Sequence, residues 1–181
     1  MTYHLVFLRE QPQHLATVAE WIHRQWWSGT DTPVEAIERW LGAHLGEEGF
    51  PATLIAISDG EVAGSVSLHE TEAEDRPVYR PYLGTLFVKP DCRGHGLGVA
   101  LVRAVETHAR LLGHPAIYLN AADALARFYE ALGWRVVERA YGRKQLNISA
   151  TWHRPAREPR ARNTALGCLP LGNQLLRTHE M

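Results

Sequence analysis

A glycine-rich turn at residues 88–99 carries the clearest chemical signal in the chain. Its sequence is VKPDCRGHGLGV, and it joins an apolar strand pattern to an apolar helix pattern. Glycine lets the backbone turn tightly, and the free N–H groups at the start of a helix bind anions together with the helix dipole. The turn therefore predicts a pyrophosphate site built from backbone amides, to which Lys89 and Arg93 add positive charge. The alternative is a turn that only connects the strand to the helix.

Two standard phosphate-binding motifs are excluded at this turn. The dinucleotide fingerprint G-x-G-x-x-G, counted from Gly94, needs a third glycine where the chain has Val99. A Walker A loop needs Gly-Lys followed by Ser or Thr, whereas Gly98 is followed by Val99 and Ala100. The turn thus predicts an anion site of another class.

A second motif, FYEALGW at 128–134, follows the turn after one predicted helix and one predicted strand. Together the two stretches resemble the GNAT superfamily of N-acetyltransferases. Arg93-x-x-Gly96-x-Gly98 resembles the family's acetyl-CoA motif, Arg/Gln-x-x-Gly-x-Gly/Ala, and residues 128–134 resemble its F-Y-x-x-x-G-F/W block. The resemblance covers residues 3–150. It implies an α/β fold with a mixed, mostly antiparallel central sheet flanked by helices, in which the central strand pair is splayed.

The resemblance also implies acetyl-CoA as a co-substrate. The pyrophosphate is expected on the glycine-rich turn, and the pantetheine arm is expected to pair with the end of the central strand, where the splay leaves backbone N–H groups free. The cofactor-binding residues implied in this way are Leu86, Phe87, Val88, Arg93, Gly94, His95, Gly96, Leu97, Gly98, Val99, Asn120 and Phe128. For Asn120, a residue that simply ends its strand is the alternative.

Acetyl transfer to an amine requires a neutral amine, although a primary ammonium has a pKa of about 10. It also requires a proton for the leaving thiolate. The resemblance assigns the second task to Tyr129, with a tyrosine packed in the core beside Phe128 as the alternative. Glu70, at the end of a predicted strand, is expected to relay a proton through water, with a solvated strand end as the alternative. His69 is expected to face the opposite side of that strand.

The resemblance implies that the first two predicted helices cover the acceptor pocket, and these helices are rich in aromatic residues. The expected acceptor-binding residues are Trp26, Trp27 and Glu70. Adjacent helical residues lie about 100° apart, so Trp26 and Trp27 do not both face the core. The resemblance also implies direct acetyl transfer from acetyl-CoA to an amine. An aromatic wall favours a cationic amine, so the expected acceptor is a primary amine of a small molecule or a peptide N-terminus. Packing against the sheet is the alternative for most of these tryptophans.

The hydropathy pattern predicts the elements that position these residues. Strands are predicted at 3–8, 53–58, 61–70, 116–119, 134–141 and 143–150. Residues 79–90 are predicted to contain a long strand centred on Leu83–Val88 and stopped by Pro90. Helices are predicted from Pro12 to about Trp27, from Pro33 to about Leu45, along the apolar stripe from Leu97 to Leu112, and from Asp123 to Leu132. Thr32–Glu35 is predicted to form a capping box, and Asp123 to cap the last helix. The order β-α-α-β-β-β-α-β-α-β-β predicts hairpin strands followed by a βαβ crossover.

Composition excludes several classes of protein. The chain has 181 residues, 45% hydrophobic and 22% charged, with a net charge of −1, which is typical of a globular domain and argues against a surface that tracks nucleic acid. Its two cysteines form neither a zinc site nor a disulfide framework by themselves, and its ten histidines show no metal-ligand spacing. We therefore expect no metal, no nucleic-acid partner, no membrane span and a cytoplasmic location.

The organisation predicted is an acetyltransferase domain over 1–150 and a basic, proline-containing tail over 151–181. A solvated linker is the favoured interpretation of the tail, and a basic nucleic-acid arm is the alternative. Pairing of exposed terminal strands between subunits suggests a homodimer. A non-catalytic acyl-CoA-binding or regulatory module on the same fold remains the alternative function, because a fold does not imply a function.

Overall fold

The computed structural model describes residues 2–46 and 49–152. The strands are β1 (His4–Phe7), β2 (Ala52–Ser58), β3 (Glu61–His69), β4 (Tyr82–Val88), β5 (Ala116–Ala121), β6 (Arg135–Tyr141) and β7 (Leu146–Trp152). The α-helices are α1 (Leu15–Ile22), α2 (Val34–Gly42), α3 (Leu97–Leu111) and α4 (Ala126–Ala131). The element order therefore agrees with the predicted one.

All seven strands described form one sheet in the order β1-β2-β3-β4-β5-β7-β6. Neighbouring strands are antiparallel except for β4 and β5, which α3 connects as a βαβ crossover. Asp59 and Gly60 form the β2–β3 turn, both with positive φ as a tight hairpin requires. The predicted mixed, mostly antiparallel α/β fold is thus confirmed.

The central pair β4–β5 is splayed, as the resemblance implied. The two strands are in register only at Tyr82 and Tyr118, and the Tyr118 N–H donates to the Pro81 carbonyl oxygen at 2.9 Å. Beyond that point the strands separate, whereas β4 stays paired with β3 as far as Val88. The β4 edge that faces β5 therefore carries backbone N–H and C=O groups without a strand partner, and such groups seek a ligand or water.

A β-bulge lies at the point where the splay opens. Gly84 opposes Ser67 and Phe87 opposes Ser65. Thr85 and Leu86 of β4 therefore both lie opposite Val66 of β3. Thr85, inside the bulge, has a φ of 50°. Because side chains alternate along a strand, the extra residue changes which face each later side chain occupies. Phe87 consequently packs on Trp21 of α1, with ring centroids 5.1 Å apart.

Each face of the sheet buries its own hydrophobic core. The face covered by α3 and α4 includes Leu68, Leu83, Leu97, Leu101, Val102, Val105, Ile117, Leu119, Tyr129 and Trp134. The face covered by α1 and α2 includes Leu8, Val18, Ile22, Ile37, Leu41, Ile55 and Ile57. Burial of these side chains against the sheet fixes the helices that flank the splayed pair.

Several predicted details differ from the structure. Pro33, in extended conformation, is the N-cap of α2 without a side-chain cap, so the capping box at Thr32–Glu35 is wrong. Asp123 is also not a cap, because its carboxylate accepts a hydrogen bond of 2.7 Å from the Asn147 amide. The first predicted helix ends in a π-helical turn, His23–Trp27. β7 continues to Trp152, and the rest of the predicted tail lies outside the described residues.

Candidate active site

The glycine-rich turn follows the open end of β4. After Val88 the chain makes a 3-10 turn at Pro90–Cys92, and α3 begins at Leu97. The Arg93 Nε donates to the Val88 carbonyl oxygen at 3.0 Å, which fastens the turn to the end of the strand. The first N–H groups of α3 have no partner within the helix, and they carry the positive end of the helix dipole. The turn therefore has the features of an anion site.

Backbone conformation explains two of the glycines. Gly94 and Gly96 both have a φ of 79°, and Gly96 is the left-handed N-cap of α3. A Cβ at either residue would meet nothing within 4 Å, so the space in front of the turn is open. A Cβ on Gly98 would lie 3.8 Å from both the Phe128 ring and the Val88 side chain. The structure thus brings Phe128, Val88 and the glycine turn together, and their assignment as cofactor-binding residues remains a prediction.

Tyr129 lies in α4, next to Phe128, on the face of the sheet that α3 and α4 cover. Its side chain is buried, and its ring lies 4.9 Å from Phe128 and 6.0 Å from Trp134, measured between centroids. Burial, and then the negative charge of Glu72, raise the pKa of Tyr129 to about 12. Tyr129 is therefore a core residue by packing, but its phenol also keeps its proton at neutral pH and remains a proton donor.

Asn120 lies on β5, the other side of the splay. Its Oδ1 atom is buried and has no hydrogen-bond partner among the described residues. A buried carbonyl oxygen without a partner costs about 1–3 kcal/mol unless something else satisfies it. This orphan acceptor is consistent with the predicted contact to a ligand in the gap, and it argues against a residue that merely ends the strand.

A row of hydroxyl groups crosses the sheet to the bulge on the face covered by α2. His44 Nδ1 and Thr53 Oγ1 are 2.7 Å apart, and Thr53 Oγ1 and Ser67 Oγ are 2.9 Å apart. The Thr85 hydroxyl donates to Ser67 Oγ at 2.9 Å. Burial, with a smaller effect of the charge of His69, lowers the pKa of His44 to about 4. His44 is therefore neutral at physiological pH and anchors the row that ends in the bulge.

Two further polar side chains lie over Gly84, at the start of the splay. His69 Nε2 is 3.2 Å from Glu72 Oε1, and a Cβ on Gly84 would overlap both atoms. The His69 ring also packs edge-on against Trp40 of α2 and lies 6.5 Å from the Tyr82 ring. His69 thus points towards α2 and the gap.

Glu70 occupies a different environment. It follows the last residue of β3, and its carboxylate accepts a hydrogen bond of 2.7 Å from Arg80, with both side chains about half exposed. Its assignment as a base remains a prediction, but its carboxylate is already paired with a cation. The sequence did not single out His44, and it suggested Glu72 only as part of an acidic rim formed with Glu74 and Asp75. The available signal was polar residues at alternate positions, Ser65, Ser67 and His69, in a strand that is otherwise apolar.

The expected acceptor tryptophans lie at the end of α1. Trp26 and Trp27 contact each other edge-on, with Trp27 packed against the α1–α2 core and Trp26 exposed. Glu70, the third expected acceptor residue, has Arg80 as its partner instead. A cavity of about 350 Å³ opens between the end of α1 and the start of α2, and neither tryptophan lines it. Its lining residues are Glu20, His23, Arg24, Ser28, Pro33 and Val34.

Within residues 2–46 and 49–152, no three His, Cys, Asp or Glu side chains are grouped as a metal site would need. Nor does any helix in the described part of the chain combine the length and apolar character needed to cross a membrane.

Three solved structures share this fold. A putative acetyltransferase from Salmonella typhimurium, yncA, solved with its cofactor acetyl-CoA, is 19% identical with a TM-score of 0.67, and the match covers 89% of this chain and 99% of that one. An acetyltransferase from Streptococcus agalactiae is 20% identical with a TM-score of 0.62, over 83% and 98% of the chains. The PaiA N-acetyltransferase from Thermoplasma acidophilum, in complex with coenzyme A, is 18% identical with a TM-score of 0.55, over 84% and 100%.

Sequence comparison gives the family. No curated protein sequence matches this chain. The model of the acetyltransferase (GNAT) family matches residues 15–134, which include both motifs, the splayed strand pair and all of α3 and α4. This match spans well over half of the chain. The chain therefore belongs to the GNAT family of acetyltransferases and is an acyltransferase.

Proposed function

We propose that this protein is an acetyl-CoA-dependent N-acetyltransferase that transfers acetyl directly to a primary amine. The observation that carries the proposal is the open edge of β4 leading straight into a left-handed glycine turn at the start of α3. One surface then offers unpaired backbone groups to an amide-containing arm and free N–H groups to a pyrophosphate. Two solved relatives on this fold hold acetyl-CoA or coenzyme A.

The residues present fit this co-substrate. Backbone groups of Leu86–Val88 would pair with the pantetheine arm, and the turn from Arg93 to Val99 would bind the pyrophosphate. Phe128, beside Gly98, would pack against the arm, and the orphan Oδ1 of Asn120 would accept a hydrogen bond from it. When bound, acetyl-CoA supplies the acetyl group as a thioester.

Tyr129 would protonate the leaving sulfur. Its phenol keeps its proton at neutral pH, since its pKa is raised to about 12. It can therefore donate a hydrogen bond to the sulfur as the C–S bond breaks, and the proton would pass to sulfur while the newly acylated nitrogen returns a proton to the phenol. Acid catalysis of this kind contributes typically about 10²–10⁴-fold in rate. The aromatic surroundings hold the ring in place while the hydroxyl acts.

The acceptor is proposed to be a primary amine that approaches from the α1–α2 side. Trp26, Trp27 and the neighbouring cavity lie on that side, with the carboxylates of Glu20 and Glu72 available to attract an ammonium group. Rings and carboxylates together suit a small amine or a peptide N-terminus.

Two measurements test this function. Isothermal titration with acetyl-CoA, coenzyme A and NAD should show binding of the first two alone. Thiol release should then be measured with butylamine, 2-phenylethylamine, spermidine, Ala-Ala and Nα-acetyl-lysine. Release that depends on an amine supports the proposal and separates small-molecule from peptide acceptors. Binding of acetyl-CoA without release for any amine would favour a non-catalytic acyl-CoA-binding module, and no binding at all would mean that the turn is purely structural.

A further inference from the structure

Glu72 lies in the β3–β4 connection, where its side chain contacts His69. His69 Nε2 lies 3.2 Å from its Oε1, and because a carboxylate only accepts, the Nε2 atom must carry the proton. The next residue, Ala73, is fully buried, and its N–H donates to the Thr71 hydroxyl at 3.0 Å. The connection is thus folded inwards at Ala73, although the residues around it are polar.

A charged clamp holds the same connection against the far end of the sheet. Arg76 donates to both carboxylate oxygens of Glu138 on β6, at 3.0–3.2 Å, and to Asp75 at 2.7 Å. The Tyr141 hydroxyl donates to the second oxygen of Asp75. A bidentate arginine pair of this kind fixes direction as well as distance. The clamp therefore sets where Glu72 lies relative to β4 and β5.

Glu72 lies over Gly84, where the splay between β4 and β5 begins. Its Oε1 is so close to Gly84 that a side chain there would collide with it. Its charge acts on two phenols, adding to burial in raising the pKa of both Tyr82 and Tyr129. The Tyr82 hydroxyl is buried and has no partner among the described residues, so this corner holds unsatisfied polar groups. The Glu72 side chain is 29% exposed, which leaves a route for protons to water.

We propose that Glu72 is the base that deprotonates the acceptor ammonium, and that His69 is the positioning residue that aims its carboxylate. The inference rests on the proposed N-acetyltransferase function and names the acceptor as a cation that enters against Glu72. An uncharged acceptor has no proton to lose before attack, so it does not need Glu72 as a base. Trp40 and Tyr82, which flank His69, give the ammonium an aromatic surround.

Glu72, Tyr129 and water account for every proton that moves in the proposed reaction. The ammonium gives one proton to Glu72, which passes it to water. The amine nitrogen then uses its lone pair to form the C–N bond with the acetyl carbon, and the C–S bond breaks with its electron pair going to sulfur. Tyr129 gives its phenolic proton to sulfur and regains a proton from the newly acylated nitrogen. The net products are the amide, coenzyme A as a free thiol and one proton in solution.

The test compares two nucleophiles with the intact protein. One is the best primary amine from the thiol-release panel, which is an ammonium ion at neutral pH. The other is hydroxylamine, which is largely uncharged at that pH and has no proton to lose before attack. Glu72→Gln should lower kcat/KM about 100-fold for the primary amine, within the range for acid–base catalysis, and change it less than about threefold for hydroxylamine. Acetyl-CoA affinity, from titration, should be unchanged.

Matched variants separate a base from a surface charge. Glu74→Gln, in the same connection and exposed, should behave like the unaltered protein with both nucleophiles. Glu70→Gln tests the rival carboxylate. For His69, the phenylalanine variant should lower kcat for the primary amine, and the glutamine variant, which keeps an N–H donor, should recover part of it. Gly84→Ala should repeat the loss seen in Glu72→Gln, because the new Cβ displaces both side chains.

The outcomes distinguish this proposal from the proposed function. Equal losses for the two nucleophiles in Glu72→Gln, or a selective loss in Glu70→Gln with normal turnover in Glu72→Gln, would overturn the assignment of the base while the acetyltransferase function stands. A protein that fails to bind acetyl-CoA, or releases no thiol with either nucleophile, would overturn the proposed function itself.

Discussion

Acidification should destabilise the protein through His44, and the structure gives the size of the effect. His44 is 1% exposed and its pKa is lowered from 6.5 to about 4, first by burial and then by the charge of His69. In the unfolded chain the ring takes up a proton below its ordinary pKa, but in the folded chain it stays neutral until the pH approaches 4. The stabilising contribution is therefore complete above pH 6.5 and is lost as the pH falls towards the folded-state value.

Linkage converts this shift into free energy. Between pH 7.5 and pH 5, a group with these two pKa values costs about 2 kcal/mol of the free energy of unfolding, and by pH 4 about 3 kcal/mol. That is a large share of the roughly 5–15 kcal/mol by which domains are stable.

The assay is urea unfolding followed by tryptophan fluorescence at a series of pH values, for the unaltered protein and for His44→Asn. Asparagine places a polar atom near the position of Nδ1 but does not titrate. Other ionisable groups, including His114, whose pKa burial also lowers, act equally in both proteins. The difference between the two unfolding free energies should shrink by about 2 kcal/mol between pH 7.5 and pH 5. Parallel curves would refute the argument that His44 is buried in its neutral form.

Three further substitutions test the site. Gly96→Ala forces a Cβ into a left-handed turn. This variant should lose about 1 kcal/mol of stability, and its acetyl-CoA affinity in titration should be lower. The control, Gly113→Ala, has the same strain at the far end of α3 and should lose stability alone. Equal affinities in the two variants would dissociate the turn from cofactor binding. Tyr129→Phe keeps the ring and should lower kcat about 10–100-fold with little change in acetyl-CoA affinity; unchanged kcat would leave Tyr129 a core residue only. Thr53→Val interrupts the hydroxyl row and should lower the unfolding free energy by about 1–3 kcal/mol in urea titrations, whereas an unchanged midpoint would show that the row contributes no stability.

Local patterns predicted most of the fold. The apolar stripe from Leu97 and the turn at Asp59-Gly60 each depend on neighbouring residues, so hydropathy and turn chemistry were enough to find α3 and the β2–β3 hairpin. The two caps were mistaken because capping depends on where a side chain finds its partner. Asp123 is bound by Asn147, a residue from a distant strand that local sequence cannot bring into view.

The candidate site likewise combines residues that the sequence indicated with residues that only the tertiary fold brings into place. The glycine turn stood out in the sequence because its residues are contiguous, and Phe128 was named through the resemblance of residues 128–134 to a family motif; the structure places the Phe128 ring beside Gly98. The position of Glu72 was not predictable, because it depends on the inward fold at Ala73 and on Arg76 reaching Glu138, 62 residues away in the sequence. Strand alternation correctly separated His69 from Glu70. It gave no indication of which of the two sides faces the gap.

The extra residue in β4 reverses which side chains, odd- or even-numbered, face each side of the sheet. Up to Gly84 the even-numbered side chains face α2, and from Phe87 onward the odd-numbered ones face α1. Regular pairing of the same residues, without the bulge, would turn Phe87 into the α3 core and turn Leu86 and Val88 out of it. Deletion of Thr85 would instead leave Leu86 alone opposite Val66 and keep Phe87 opposite Ser65 and Val88 opposite Gly64. A one-residue deletion between Phe87 and Gly96 has no bulge to absorb it, and it would draw the glycine turn back along the strand by about 3.3 Å. Such deletions should therefore be far less tolerated than deletion of Thr85.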